Sequence, residues 1–236
     1  MLSESGRMRR VSAPRTARAR VRAQLTSEIA DVARTHLATD GAAALSLRAV
    51  ARELGMASSA VYRYFPSRDD LLTTLIVDAY DALGEAAEHA EAGVARDDLR
   101  GRLHAACAAA RDWALAHPHE YALLYGSPVP GYAAPETTIA PAGRVGLLIT
   151  GIVRDGLASG ALTPLPAGAD TIDDRALADV GLTDDPARAA LVVNAWSGLF
   201  GAIGFELHGH THNIVTDHAA WFRGVVDTHA DALGLP

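Results

Sequence analysis

The stretch from Leu45 to Arg68, with the sequence LSLRAVARELGMASSAVYRYFPSR, constrains the fold more than any other part of the chain. Ser46 is a good N-cap for a helix with one apolar face, and Gly55 can end that helix because glycine adopts a left-handed conformation at little cost. Ser58 or Ser59 can cap a second, shorter helix. Two short helices joined by a tight turn predict a helix-turn-helix, whose second helix enters the major groove of DNA, or else an ordinary corner between two helices.

The rest of the chain carries helical periodicity and no persistent strand pattern, so we predict an all-α fold. Residues 22–39 form a predicted helix with one apolar stripe, and Ser67 caps a long helix that reaches about Glu88. The acidic residues within 163–186 indicate an exposed loop region with at most one short helix. The remaining helices are predicted at residues 97–116, 120–125, 142–159, 188–207 and 216–233.

Charge is divided unevenly along the chain. From Met1 to Leu75 there are 12 Arg and seven acidic residues, a net charge of +5, whereas the remainder has nine Arg and 21 acidic residues, a net charge of −12. A basic N-terminal part on an acidic body favours a polyanionic partner for the first part alone. The Arg-rich residues 1–21 lack the apolar core of a secretory signal, and we expect them to be either a disordered arm that contacts phosphates or the minor groove, or a solvated tail.

The residues from Ala189 to Phe205 form the most membrane-like stretch, but its 17 uncharged residues are short for a span of about 20. This stretch also contains Asn194 and three glycines. We therefore expect a buried or interface helix, a cytoplasmic protein and no membrane partner, with a membrane-tethered protein as the alternative.

Motifs for catalysis or for a metal site are weak. The chain has no GxSxG, P-loop, GxGxxG or HExxH sequence, so no catalytic residue and no cofactor is predicted. Cys107 is the single cysteine, and its small neighbours indicate a buried residue and not a reactive thiol. His208, His210 and His212, with His218 nearby, carry imidazoles that zinc accepts, but they lack a fixed-spacing Cys/His motif and no metal site is predicted.

From Arg22 to Ala79 the chain resembles the DNA-binding domain of the tetracycline-repressor (TetR) family of bacterial transcriptional regulators. The resemblance rests on SLRAVARELGMASSAVYRYFPSRDDLL, which combines small and aromatic residues of the family pattern, namely Ala51, Gly55, Tyr62 and Phe65. The C-terminal half resembles the WHG subclass of ligand-binding domains through HPHEYALLYGSPVPGYAAP, Trp196 and FELHG. One departure is Arg68, where the family usually has Lys; Arg also donates to phosphate.

This resemblance implies DNA contacts from the second short helix and its surroundings. Arg63 is the best base reader because Arg can bridge guanine O6 and N7, and Arg48 matches a position that reaches a base or a phosphate. Ser46, Tyr62 and Arg68 would hold phosphates, although Tyr62 could instead pack against the first helix. The predicted DNA-contacting residues are Ser46, Arg48, Ser58, Ser59, Ala60, Tyr62, Arg63, Tyr64 and Arg68.

The resemblance further implies a homodimer on a palindromic operator, released when a small, largely apolar ligand enters the C-terminal domain. The predicted ligand lining is Leu103, His104, Cys107, Trp113, Tyr121, Tyr125, Ile149, Asn194, Trp196 and Phe200. The predicted dimer interface, on the last two long helices, is Gly198, Leu199, Gly201, Ile203, Trp221, Phe222 and Val225, although its glycines could instead line a ligand cavity.

Taken together, these patterns predict a dimeric repressor with three parts. Residues 1–21 form the arm, 22–66 the helix-turn-helix DNA-binding domain, and 67–236 a helical ligand-binding and dimerisation domain. The alternative is a helical small-molecule-binding module, or a small enzyme, that uses the helix-turn-helix only as a scaffold.

Overall fold

The computed structural model describes residues 17–166 and 171–236, and every regular element in those two ranges is helical, which confirms the all-α prediction. Two short 3₁₀ helices, Ala42–Ala44 and Glu136–Thr138, accompany the α-helices. The α-helices are α1 (Ala17–Asp40), α2 (Leu47–Glu53), α3 (Ser58–Val61), α4 (Arg68–Ala92), α5 (Leu99–Ala116), α6 (Pro118–Tyr125), α7 (Ile139–Ser159), α8 (Asp174–Val180), α9 (Pro186–Leu207) and α10 (His218–Leu233).

The described part of α1 starts at Ala17, earlier than the predicted start at Arg22. Residues 17–21 are therefore helical and do not belong to a disordered arm. Residues 1–16, the rest of the predicted arm, lie outside the described residues.

The structure confirms only one of the predicted serine N-caps. Ser67 is confirmed as the N-cap of α4, since its side chain accepts a hydrogen bond from the backbone three residues later. Ser46 occupies the N-cap position of α2 but makes no side-chain cap bond. The N-cap of α3 is Ala57, so the prediction that Ser58 or Ser59 caps it was wrong. Both serines are instead exposed on the helix itself.

Two hydrophobic cores share α4. The N-terminal core packs α1, α2 and α3 around Val50 and Val61, and it includes Leu71 and Leu75 from the first turns of α4. The C-terminal core takes the later residues of the same helix, such as Leu83. The N-terminal core thus extends past residue 66, and one continuous helix joins the two cores without a flexible linker.

An ion network with a buried pair, Glu91 and Arg102, at its centre fixes the far end of α4. Arg102 of α5 is 1% exposed, and its guanidinium donates to Glu91 Oε1 at 2.5 Å, to Asp155 Oδ2 at 2.7 Å and to the Arg96 carbonyl oxygen at 3.0 Å. Arg96 pairs with the same two carboxylates. The network therefore holds the C-terminal end of α4 against α5 and α7.

Among the described residues, α9 is the one helix long and apolar enough to cross a membrane by length and composition. The core helix of a soluble protein passes the same test. Leu199 and Ile203 of α9 are 2% and 0% exposed within the C-terminal core, whereas Val193 and Phe205 of the same helix are 45% and 56% exposed. Burial in this core therefore accounts for only part of the apolar character of the helix.

Candidate nucleic-acid interface and ligand pockets

The helix-turn-helix presents an exposed face around α3. Gly55, in the turn that follows α2, has a φ of +66°, as predicted for a left-handed helix end. Arg48 on α2 and Arg63 just after α3 are exposed, and neither forms an ion pair within the part of the chain that the structure describes. Their guanidinium groups are therefore available to phosphates or base edges. The other predicted contacts that reach solvent here are Ser58, Ser59 and Tyr62, with Ala60 and Tyr64 half-buried.

Arg22 of α1 supports this face and was missed by the sequence analysis. Its guanidinium carbon lies 5.2 Å from the centroid of the Tyr64 ring, a cation–π geometry, and its Nη2 donates to the Arg63 carbonyl oxygen at 3.2 Å. These two contacts hold Arg63 and Tyr64, which follow α3, against α1. No local sequence signal reveals them, because 41 residues separate the partners.

Arg68 has a different environment from the one predicted. Its Nε donates to the Leu45 carbonyl oxygen at 3.1 Å, and its Nη2 donates to the carbonyl oxygens of Ala42 and Ala43 at 2.8 and 3.3 Å. The guanidinium therefore clamps the 3₁₀ turn that precedes α2 to the start of α4. Its phosphate contact stays a prediction.

Four predicted ligand residues come together in an open pocket of about 420 Å³ between α6 and α9. The rings of Tyr125 and Phe200 stack with centroids 4.1 Å apart, and the Tyr121 hydroxyl donates to the Phe200 carbonyl oxygen. Burial raises the pKa of both tyrosines, so both phenols stay neutral near pH 7. We call this the aromatic pocket; it is lined by Tyr121, Tyr125, Trp196, Ser197, Phe200, Gly201, Gly204, Phe205, His208 and His210.

A second space of about 570 Å³, the inner cleft, lies between α4, α6, α7 and the loop 126–135. Trp196 lines both spaces, and the Tyr80 ring of the inner cleft lies 6.0 Å from the Tyr125 ring of the aromatic pocket. The Trp196 indole N–H is buried and has no hydrogen-bond partner among the described residues. The inner cleft is lined by Ile76, Tyr80, Leu123, Leu124, Gly126, Ser127, Pro128, Val129, Tyr132, Ala134, Thr138, Ile139, Ala142, Gly143 and Trp196.

The other six predicted ligand residues line neither space. Leu103, Cys107 and Ile149 are buried in the C-terminal core around a gap of about 10 Å³, and their ligand contact stays a prediction. Burial accordingly raises the pKa of the Cys107 thiol to about 12. Trp113 is also a core residue, 8% exposed, and its ring stacks on the His117 ring. The His104 imidazole pairs with Asp227, and Asn194 is exposed.

Several predicted interface residues face the interior of their own chain. Leu199, Ile203 and Phe222 are at most 3% exposed in the C-terminal core, so they offer no surface to a partner. A Cβ atom on Gly198 would collide with the His229 imidazole, and this glycine therefore serves the packing of α10 on α9. Gly201 is exposed, whereas Trp221 and Val225 are half-buried; their interface role stays a prediction.

Within the histidine run, His208 and His210 both line the aromatic pocket, with ring centroids 6.3 Å apart. His210 packs beside Phe205 with ring centroids 5.1 Å apart, and the His218 imidazole bonds to the Thr211 hydroxyl at 2.9 Å. No cluster of three or more metal-ligating side chains occurs in residues 17–166 and 171–236.

A helix-turn-helix with free guanidinium groups, joined by one rigid helix to a helical domain that contains pockets, defines the class of helix-turn-helix transcriptional regulators. Residues 29–75 match the description "Bacterial regulatory proteins, tetR family", and residues 103–229 match "Tetracyclin repressor-like, C-terminal domain". The chain therefore belongs to the TetR family of bacterial regulators. These descriptions do not name the WHG subclass, which stays a prediction.

The relatives agree with this assignment. An HTH-type transcriptional regulator of Mycobacterium tuberculosis is 38% identical over 209 residues, which cover 85% of this chain and 88% of that protein. A Mycobacterium bovis regulator of the same description has the same identity and coverage. Among solved structures, the crystal structure of regulatory protein SCO4313 is 34% identical with a TM-score of 0.72, covering 92% of this chain and all of that chain.

Proposed function

We propose that this chain is a dimeric repressor that binds a palindromic operator and releases it when a small, largely apolar ligand enters the C-terminal domain. The observation that carries the DNA half of the proposal is the pair of exposed guanidinium groups of Arg48 and Arg63 on the helix-turn-helix. TetR-family regulators bind DNA and typically act as homodimers. The curated relatives of this chain are described as HTH-type transcriptional regulators. The family also implies a cytoplasmic location.

The pockets support the ligand half of the proposal. Stacked aromatic rings on α6 and α9 offer flat apolar faces, and the unpaired indole N–H of Trp196 offers a donor. A ligand with apolar bulk and one hydrogen-bond acceptor fits both features. Because a ligand changes DNA affinity only through a difference in its affinity for two conformations, it must prefer a form of the dimer that binds the operator poorly.

The proposal is tested by measuring mobility shifts of the full-length protein on palindromic sequences near its own gene. We expect sequence-dependent binding that weakens steeply as salt is raised, since phosphate contacts release counterions. Failure to bind any of these palindromes more tightly than a scrambled duplex would count decisively against a repressor at this locus.

The position of Arg68 leads to a prediction of its own. Replacing Arg68 with Ala is expected to weaken binding to all DNA sequences equally, because the turn before α2 loses its clamp on α4. Since the observed contacts are to carbonyl oxygens, the slope of log affinity against log salt should remain that of the parent protein. The measurement is operator affinity at several salt concentrations.

Arg68→Lys is the matched control for this prediction, because an ammonium keeps the charge but cannot reproduce the planar fork of the guanidinium. We expect Arg68→Lys to bind as weakly as Arg68→Ala. If Lys instead restores affinity, and Ala reduces the salt slope by about one, then the predicted phosphate contact is the main role of this residue.

A further inference from the structure

The loop 126–135 has empty space on both of its faces. On one side lies the inner cleft, and on the other lies a space of about 360 Å³, the outer cleft, bounded by the end of α1, the Ala42–Ala44 turn and α6. Ser127, Pro128 and Val129 line both clefts. Most residues of this loop are exposed, and a surface segment with open clefts on both sides can shift at the cost of few contacts.

The loop nevertheless belongs to both domains. Val129 and Tyr132 pack against the N-terminal core, and the Tyr132 hydroxyl bonds to the Thr73 hydroxyl of α4 at 3.0 Å. The preceding helix α6 is held separately, because Arg34 of α1 pairs with Glu120 at its start, at 3.4 Å. Helix α6 is therefore anchored to α1. The loop is held by apolar contacts, by the bond between Tyr132 and Thr73, and at its end by a hydrogen bond from the Thr138 hydroxyl to the Pro135 carbonyl oxygen at 2.8 Å.

The outer cleft leads directly to the helix-turn-helix. Its wall includes Ala42 and Ala43, whose carbonyl oxygens accept the hydrogen bonds of Arg68. Helix α2 begins only a few residues later, at Leu47. A movement of the loop into the outer cleft would thus press on the turn that positions α2 and α3 against α4.

A molecule bound in the inner cleft would push the loop in this direction. The described lining of this cleft contains no charged side chain, and its polar side chains are hydroxyl-bearing residues and Trp196. An uncharged, largely apolar molecule with a hydrogen-bond acceptor suits this lining, since a charge placed there would be left unpaired.

We propose that the inner cleft binds an uncharged apolar ligand, which drives the loop 126–135 toward the outer cleft and against the Ala42–Ala44 turn. The loop is then the element that transmits ligand occupancy to the DNA-binding face. This inference rests on the proposed function, because it requires operator binding by the helix-turn-helix.

A side chain added inside the cleft can stand in for the ligand. Ala142 of α7 is half-buried and lines the inner cleft, so Ala142→Phe in the full-length protein should occupy it. We expect this variant to bind the operator about tenfold more weakly and to exchange the backbone amides of residues 41–47 faster. Ala140→Phe is the matched control, since Ala140 is exposed on the same helix, and it should behave as the parent protein.

A second variant tests the loop without filling the cleft. Thr73→Val removes the partner of the Tyr132 hydroxyl while keeping the side-chain shape, and Thr74→Val is its control because Thr74 bonds only to the Asp70 carbonyl of its own helix. We expect Thr73→Val alone to speed amide exchange in residues 126–132 and 41–47, and to weaken operator binding by about two- to fivefold.

The outcomes separate the two proposals. If the parent protein binds no palindrome, the proposed function fails. If the parent binds but folded Ala142→Phe keeps its affinity and its exchange at residues 41–47, the inference is overturned. Should Ala142→Phe not fold, parent-like affinity and exchange in Thr73→Val overturn the inference in the same way.

Discussion

Replacing Glu91 with Ala is expected to lower the free energy of unfolding by about 3 kcal/mol, the low end of the cost of breaking a buried ion pair, because Arg102 keeps a second carboxylate partner. Glu91 is 6% exposed and accepts hydrogen bonds from both Arg96 and Arg102. Removing its carboxylate leaves the Arg102 guanidinium, 1% exposed, with only Asp155 as a counter-ion. Urea denaturation followed by circular dichroism measures the change.

Glu85→Ala is the matched control, because Glu85 lies on the same helix but is exposed and forms no ion pair among the described residues. It should change the free energy of unfolding by no more than about 0.5 kcal/mol. Glu91→Gln keeps one oxygen acceptor and should fall between the two. Equal stability of the Glu91 and Glu85 variants would show that the network contributes little and that α4 is held by apolar packing.

The two ends of α4 are thus fixed by different means. At its start, Arg68 binds carbonyl oxygens of the turn before α2, and at its end Glu91 joins the ion network with Arg102. The loop 126–135 contacts α4 between these points, through the bond from Tyr132 to Thr73. Because both ends are held, a local push at the turn before α2 requires less rearrangement than a rotation of the whole helix.

Local signals predicted the helix-turn-helix and the long connecting helix well. The cap at Ser67 and the left-handed turn at Gly55 depend on residues within a few positions, so the sequence alone carries that information. Most of α4, up to about Glu88, followed from its apolar stripe, while its last turn to Ala92 was not predicted. Such features are determined by backbone geometry and not by distant neighbours.

Long-range packing decided what the sequence analysis missed. In an all-helical domain the same apolar periodicity serves a core and a pocket. Cys107 and Tyr121 are both buried in the C-terminal core, but Tyr121 borders the aromatic pocket whereas Cys107 borders only a gap of about 10 Å³. Likewise, a Cβ atom added at Gly198 would collide with the His229 imidazole, and one added at Gly204 would lie 3.3 Å from the Tyr121 hydroxyl. Neither distance follows from the spacing of the glycines along α9.

The second large effect that we predict is a loss of sequence discrimination when Arg63 is replaced. Arg63 is exposed beside α3, it has no carboxylate partner among the described residues, and Arg22 and Tyr64 hold its backbone in place. A guanidinium in this position can make a bidentate contact to guanine. Losing such a contact costs about 1 to 3 kcal/mol of discrimination, or roughly five- to 150-fold in relative affinity.

We therefore expect Arg63→Ala to bind the operator more weakly while its affinity for scrambled DNA falls much less. Competition binding at one fixed salt concentration gives the ratio of operator affinity to scrambled affinity, and this ratio should fall toward one. Arg154→Ala, which removes an exposed Arg from α7 in the C-terminal domain, controls for the loss of net positive charge and should keep the parent ratio. A uniform loss on all sequences would instead assign Arg63 to a phosphate, and base reading would then have to come from Arg48 on α2.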